Sequence, residues 1–103
     1  MQRANARERN LALYEAITKL ESVDQCIQFF DDLCAITELK ALEQRYEVAT
    51  MLCKRMVYSD IIEQTKASSA TISRVNRIVN YGTGVLVDSI TEQLESSGET
   101  PET

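Results

Sequence analysis

The residues best equipped for chemistry in this sequence stand between positions 66 and 77. Lys66, Arg74 and Arg77 supply permanent charge, Ser69, Ala70, Thr71 and Ser73 supply small or hydroxyl-bearing side chains, and no acid occurs from Lys66 to Val87. Arginine pairs with guanine edges and phosphates, and small residues in the first turns of a helix let its backbone enter the major groove of DNA. A capped helix start, here at Ser68 or Ser69, also offers free amides to a phosphate. The same residue types serve in caps and on solvated faces. Spacing alone therefore leaves nucleic-acid contact and plain surface chemistry both open.

Catalysis has little to stand on. The 103 residues include no histidine, which removes the commonest general base and the commonest zinc ligand. Cys26, Cys34 and Cys53 form no CxxC pair and fall on or beside apolar stripes, so they read as buried reduced thiols rather than as a metal site or disulfide framework. No nucleophile with an adjacent base and no paired-carboxylate site can be built. The chain is expected to be no enzyme and to hold no metal or cofactor.

The elements that must position the basic segment are helical. Leu13, Ile17 and Leu20 mark a first helix, and Ser22 with Gln25 matches a capping box ahead of Val23, Cys26, Ile27, Phe30 and Leu33. Thr37 can cap a third helix running through Leu39, Leu42, Tyr46, Ala49, Leu52 and Cys53. Ser59 and Asp60 suit the start of a short helix carrying Ile61 and Ile62, which Lys66-Ala67-Ser68 interrupts. A second short helix follows on Ile72, Val75 and Val79, ending near Asn80. After Gly82 and Gly84 a last helix is marked by Val87, Ile90 and Leu94. The reading is all-α, about six helices in one domain over residues 1–96, with residues 97–103 a disordered polar tail.

Two short helices joined by about three residues, behind a longer supporting helix, form the layout of a helix-turn-helix at about 59–80. At 100° per residue, Ile72, Val75 and Val79 centre the buried face of its second helix. Ala70, Ser73, Arg74 and Arg77 lie farthest from that face and Thr71 lies on its flank. Lysine at the turn, Lys66, stands where such motifs often place glycine, so a left-handed backbone there costs energy.

Charge distribution supports the same segment. The net charge is −5, which argues against nucleic acid as a total. Residues 11–53 hold eight acids against three bases, and 88–103 hold five acids and no base. Residues 54–77, by contrast, hold five bases against two acids, a net of +3. Lys54, Arg55 and Lys66 together make a modest electrostatic footprint beside the motif, with Lys54, Lys66 and Arg77 the candidate phosphate contacts. No run approaches 18 apolar residues and no secretion signal is visible, so no membrane contact and a cytoplasmic location are expected.

The segment Thr65 to Asn80, TKASSATISRVNRIVN, with Tyr81-Gly82-Thr83-Gly84 after it and Ala41-Leu42-Glu43-Gln44-Arg45 before it, resembles the tryptophan repressor superfamily. The similarity is strongest to the TrpR-like YerC/YecD branch and spans about residues 11–95. The resemblance implies an intertwined all-helical homodimer whose heads, residues 59–80, read DNA in a bacterial cytosol. It places base-facing positions on Ser69, Ala70, Thr71 and Ser73. It also matches Arg45 and Arg74 to the two arginines that clamp tryptophan. Where the repressor has a glycine that makes room for the indole, this chain has Val75, already assigned to the core; a tryptophan corepressor is therefore not expected. A small-molecule effector is left unspecified.

These observations lead to a sequence-specific transcriptional regulator, expected to repress, acting as a homodimer on a pseudo-palindromic DNA site. The acidic body supports one alternative, a helical protein-interaction module that has lost DNA binding.

Overall fold

The structure, a computed structural model, describes residues 7–99 and is all-α. Its helices are α1 (Leu11–Thr18), α2 (Val23–Leu33), α3 (Ile36–Cys53), α4 (Tyr58–Thr65), α5 (Ser69–Tyr81) and α6 (Val85–Ser96). Among the described residues there is no strand, and no helix is long and apolar enough to cross a membrane. Chain compactness divides the molecule into two units, residues 1–36 and 37–103.

The first unit consists of α1 and α2. Asn10 caps α1, its side-chain oxygen accepting from the Ala12 amide at 3.1 Å. Ser22 caps α2 by accepting from the Gln25 amide at 3.1 Å. The Gln25 side chain answers one residue further out than a capping box requires, accepting from the Glu21 amide at 2.7 Å. Neither helix contains a buried residue, although Leu11, Val23, Ile27 and Leu33 are all apolar and exposed. An apolar stripe left open in this way needs a further surface to cover it.

The second unit holds the core. Val48, Ala49 and Cys53 of α3, Ile61 of α4, Ile72 and Val75 of α5, and Ile90 and Leu94 of α6 are buried together with Ala67. Full burial of each isoleucine or valine stabilises by about 1.5–3 kcal/mol. The apolar phase read from sequence thus fixes the inner faces of α5 and α6, whereas in α4 Ile61 is buried and Ile62, read with it, is exposed. The phase also does less well for α3, where Leu42 and Tyr46 belong to the same stripe yet are exposed.

Two helix starts differ from the sequence expectation. The third helix begins at Ile36, which puts Thr37 inside its first turn rather than at its cap. Helix α4 begins at Tyr58, ahead of Ser59 and Asp60, with Val57 in the cap position and no side-chain cap bond. The Val57 carbonyl instead collects the amides of Asp60 and Ile61, both at 3.1 Å. Ser97, Gly98 and Glu99, placed in the polar tail by composition, close α6: the Gly98 amide donates to the Glu95 carbonyl and the Glu99 amide to that of Leu94. Gly98 takes the left-handed conformation this closure demands, with φ +84. Residues 100–103 lie outside the described residues.

The turn between α4 and α5 is tied on three sides. Lys66 adopts φ +62, the left-handed conformation, and its amide donates to the Ile62 carbonyl at 2.8 Å. The buried Thr65 hydroxyl donates to the Ile61 carbonyl at 2.7 Å and accepts from the Ala67 amide at 3.1 Å. From α3, the Gln44 side-chain amide donates to the Thr65 carbonyl at 3.0 Å. Ser68 then caps α5, its hydroxyl oxygen accepting from the Thr71 amide at 3.1 Å.

Neighbouring substitutions at this turn should act in opposite directions. Lys66→Gly removes a side-chain clash of about 1–2 kcal/mol, partly offset by glycine's greater freedom when unfolded, and should stabilise by about 1 kcal/mol. Thr65→Val preserves shape but strands the Ala67 amide, and should destabilise by about 1–3 kcal/mol. Urea midpoints of the two variants against the parent check both; a shift of the same sign in both would contradict this account.

Candidate nucleic-acid interface

Helix α5 is built to bury one side and show the other. Ile72 and Val75 are sealed in the core, whereas Ala70, Ser73, Arg74 and Arg77 are exposed, as the wheel predicts, and Ser69 is exposed with them. Thr71 is half-buried, and its hydroxyl oxygen accepts from the Ser68 hydroxyl at 3.0 Å, so it serves the cap as well as the flank. With the Thr71 amide taken by Ser68, the amides of Ser69 and Ala70 open the positive end of the helix to solvent. The exposed face therefore carries small side chains in its first turns, free amides at its tip and two guanidinium groups behind them.

The two lysines assigned to phosphates stand differently. Lys66, on the turn itself, is exposed beside the start of α5. Lys54 is tied back to α6's end by an ion pair with Glu99 at 3.3 Å. Such a pair, with both partners partly exposed, is worth at most about 1 kcal/mol. It nonetheless occupies Lys54.

Of the two residues matched to a tryptophan clamp, Arg45 lines a hollow and Arg74 is exposed on α5. The hollow measures about 200 Å³ and is lined also by Leu42, Tyr46, Val75, Ile78 and Leu86. Val75 is 2% exposed, its side chain committed to the core. The hollow is smaller than the roughly 300–1,000 Å³ common for small-molecule sites.

Sequence reasoning missed the residues that aim α5. Gln44 reaches the α4–α5 turn across 21 positions of chain, and no spacing rule marks a lone glutamine on a long helix for that task. Tyr46, two residues on, donates its hydroxyl to the Gln93 side chain, tying α3 to α6. Thr65 is more legible, since a threonine at the end of a short helix commonly bonds the carbonyl four residues back.

The cysteines are all reduced, but only Cys53 is buried; Cys26 and Cys34 are half-buried, which corrects the expectation that all three lie inside. Burial pushes the Cys53 thiol up from its ordinary value by penalising the thiolate. Because the thiolate is the reactive form, Cys53 should alkylate at least tenfold more slowly in the native protein than in urea at pH 8, read by mass spectrometry after iodoacetamide. Equal rates in the two conditions would contradict its place in the core.

Comparison with known proteins agrees with the geometry. The family described as Trp repressor protein matches residues 8–94. The uncharacterized protein YerC of Bacillus subtilis (strain 168) is 50% identical over 70 residues, 68% of this chain and 67% of its own. Among solved structures, a candidate Trp repressor from Staphylococcus aureus superposes with a TM-score of 0.77 at 36% identity, covering 91% of this chain and 93% of that one. A TrpR-like protein from Eubacterium eligens ATCC 27750 gives 0.74 at 43% identity, covering 89% and 91%. With the family match running through nearly the whole described chain, the protein belongs to the Trp repressor family.

Proposed function

We propose that this protein is a sequence-specific DNA-binding regulator that represses transcription in the cytoplasm, acting as a homodimer, and that it is not an enzyme. The observation carrying this reading is the solvent face of α5, where Ser69, Ala70, Ser73, Arg74 and Arg77 are exposed beyond a rigidly tied turn. In a major groove, Ser69, Ala70, Thr71, Ser73 and Arg74 would meet base edges. Arg77 and Lys66 would meet phosphates, as would Lys54 once released from Glu99.

The homodimer is supported by α1 and α2, which bury none of their own residues and leave Val23 75% and Leu33 57% exposed. A two-fold dimer presents two heads, so the site it reads should be a pseudo-palindrome with half-sites about one helical turn apart or a multiple. Family membership also raises tryptophan as a corepressor. Val75, whose side chain is committed to the core, favours a protein that works without it.

Selection of bound duplexes from genomic fragments tests the reading directly. A two-fold consensus is expected, and a set of fragments with no consensus would favour the protein-interaction module instead. On the selected site, Arg77→Ala should weaken binding to specific and random duplexes alike and reduce the slope of log affinity against log salt by about one unit. Affinity independent of salt would remove Arg77 from the interface. Added tryptophan should leave affinity unchanged, and a tryptophan-dependent increase would overturn the argument from Val75.

A further inference from the structure

A second hollow, separate from the one beside Arg45, lies among α3, α5 and α6. Its volume is about 430 Å³, within the common range of small-molecule sites. Leu52, Val79 and Val87 give it an apolar floor, while Arg55, Asn76, Asn80 and Thr91 line it with polar groups.

These polar groups are uncommitted. Asn80 spends its amide nitrogen on the Asn76 carbonyl at 3.0 Å, which leaves its own carbonyl oxygen free. Among the described residues, the Asn76 side chain, the Thr91 hydroxyl and the Arg55 guanidinium make no hydrogen bond or ion pair. Lys54, the neighbouring base, is by contrast held by Glu99.

Arg55 also stands in a costly conformation. It is the residue that closes α3: its amide donates to the Leu52 carbonyl at 3.0 Å and the Met56 amide to the Met51 carbonyl at 3.1 Å, with Arg55 at φ +66 between them. Glycine is the usual resident of that position because a side chain there is strained. A guanidinium held at the rim of an apolar-floored hollow, at an energetic cost and without a partner, has the geometry to take a carboxylate in a two-pronged pair.

We propose that this hollow binds a small organic acid, with its carboxylate on Arg55 and its aliphatic body on Leu52, Val79 and Val87. Asn76, Asn80 and Thr91 complete the polar rim. The floor distinguishes such a ligand from a bare inorganic anion, which has nothing to place there. The site is independent of whether α5 reads DNA.

The test is a titration of the full chain with hexanoate, followed by two-dimensional amide NMR, with inorganic phosphate as the comparison. Saturable shifts confined to the amides around Arg55, Asn76, Asn80 and Thr91 are expected, with phosphate binding at least tenfold more weakly. Arg55→Gly places the residue that the backbone prefers, so it should fold at least as stably as the parent while losing at least tenfold in hexanoate affinity. Arg55→Lys, which keeps the charge but not the fork, should lose less. No saturable shift, equal binding by Arg55→Gly, or phosphate binding as tight as hexanoate would each overturn the proposal.

Discussion

The carbonyl oxygen of Thr65 sits where α4 stops and α5 has not yet begun, at a buried residue that the helix ladder no longer serves. Gln44 supplies the missing donor from α3, and the Thr65 hydroxyl supplies the next acceptor, for the Ala67 amide. Without these bonds the turn would hold unpaired polar groups against the core, at a cost of about 1–3 kcal/mol for each. The direction in which α5 leaves the turn, and hence which of its side chains meet solvent, depends on this polar join as much as on the apolar contacts of Ile61, Ile72 and Val75. A purely apolar join could slide; hydrogen bonds with one good geometry resist sliding.

Charge is sorted along the chain in a way that suits an anionic partner at two places, residues 1–10, where Arg3, Arg7 and Arg9 stand against Glu8, and the stretch from Lys54 to Arg77. Acids dominate from Leu11 to Cys53 and again from Asp88 onward, while the stretch from Lys54 to Arg77 carries a net +3. A field of that kind discourages contact with phosphates through the body of the protein and favours it through the segment with α4 and α5. The overall −5 therefore describes the scaffold rather than the proposed interface.

Among the described residues both left-handed non-glycine positions, Arg55 and Lys66, are bases, and they bracket α4 at its two ends. At each position a glycine would relieve strain, so the chain spends stability to keep a cation there. A base at a helix C-terminus recovers part of that cost from the partial negative charge of the last carbonyls. What remains is the kind of local strain that collects where a side chain is needed for contact.

Much of this was legible in sequence, because it depends on local periodicity and end chemistry. Ile72, Val75 and Val79 recur at helical steps, so the opposite face, with Ala70, Ser73, Arg74 and Arg77, could be named without coordinates. The break at Lys66-Ala67-Ser68, a cap at Ser68 or Ser69 and the unfavourable backbone at Lys66 likewise follow from residue type, and the structure chooses Ser68. The start of α4 at Tyr58 was missed because a backbone carbonyl, that of Val57, does the capping where a side chain was sought. Leu42 and Tyr46 keep the helical phase of a core stripe but stay exposed, since periodicity reports which residues share a face and not what covers it. Only the tertiary structure could show that Gln44 holds the turn, that Lys54 is paired with Glu99 while Arg55 is not, and that Arg45 and Val75 line one hollow. Those facts depend on contacts between residues distant in sequence, and chain folding in three dimensions, rather than the spacing along any one helix, determines them.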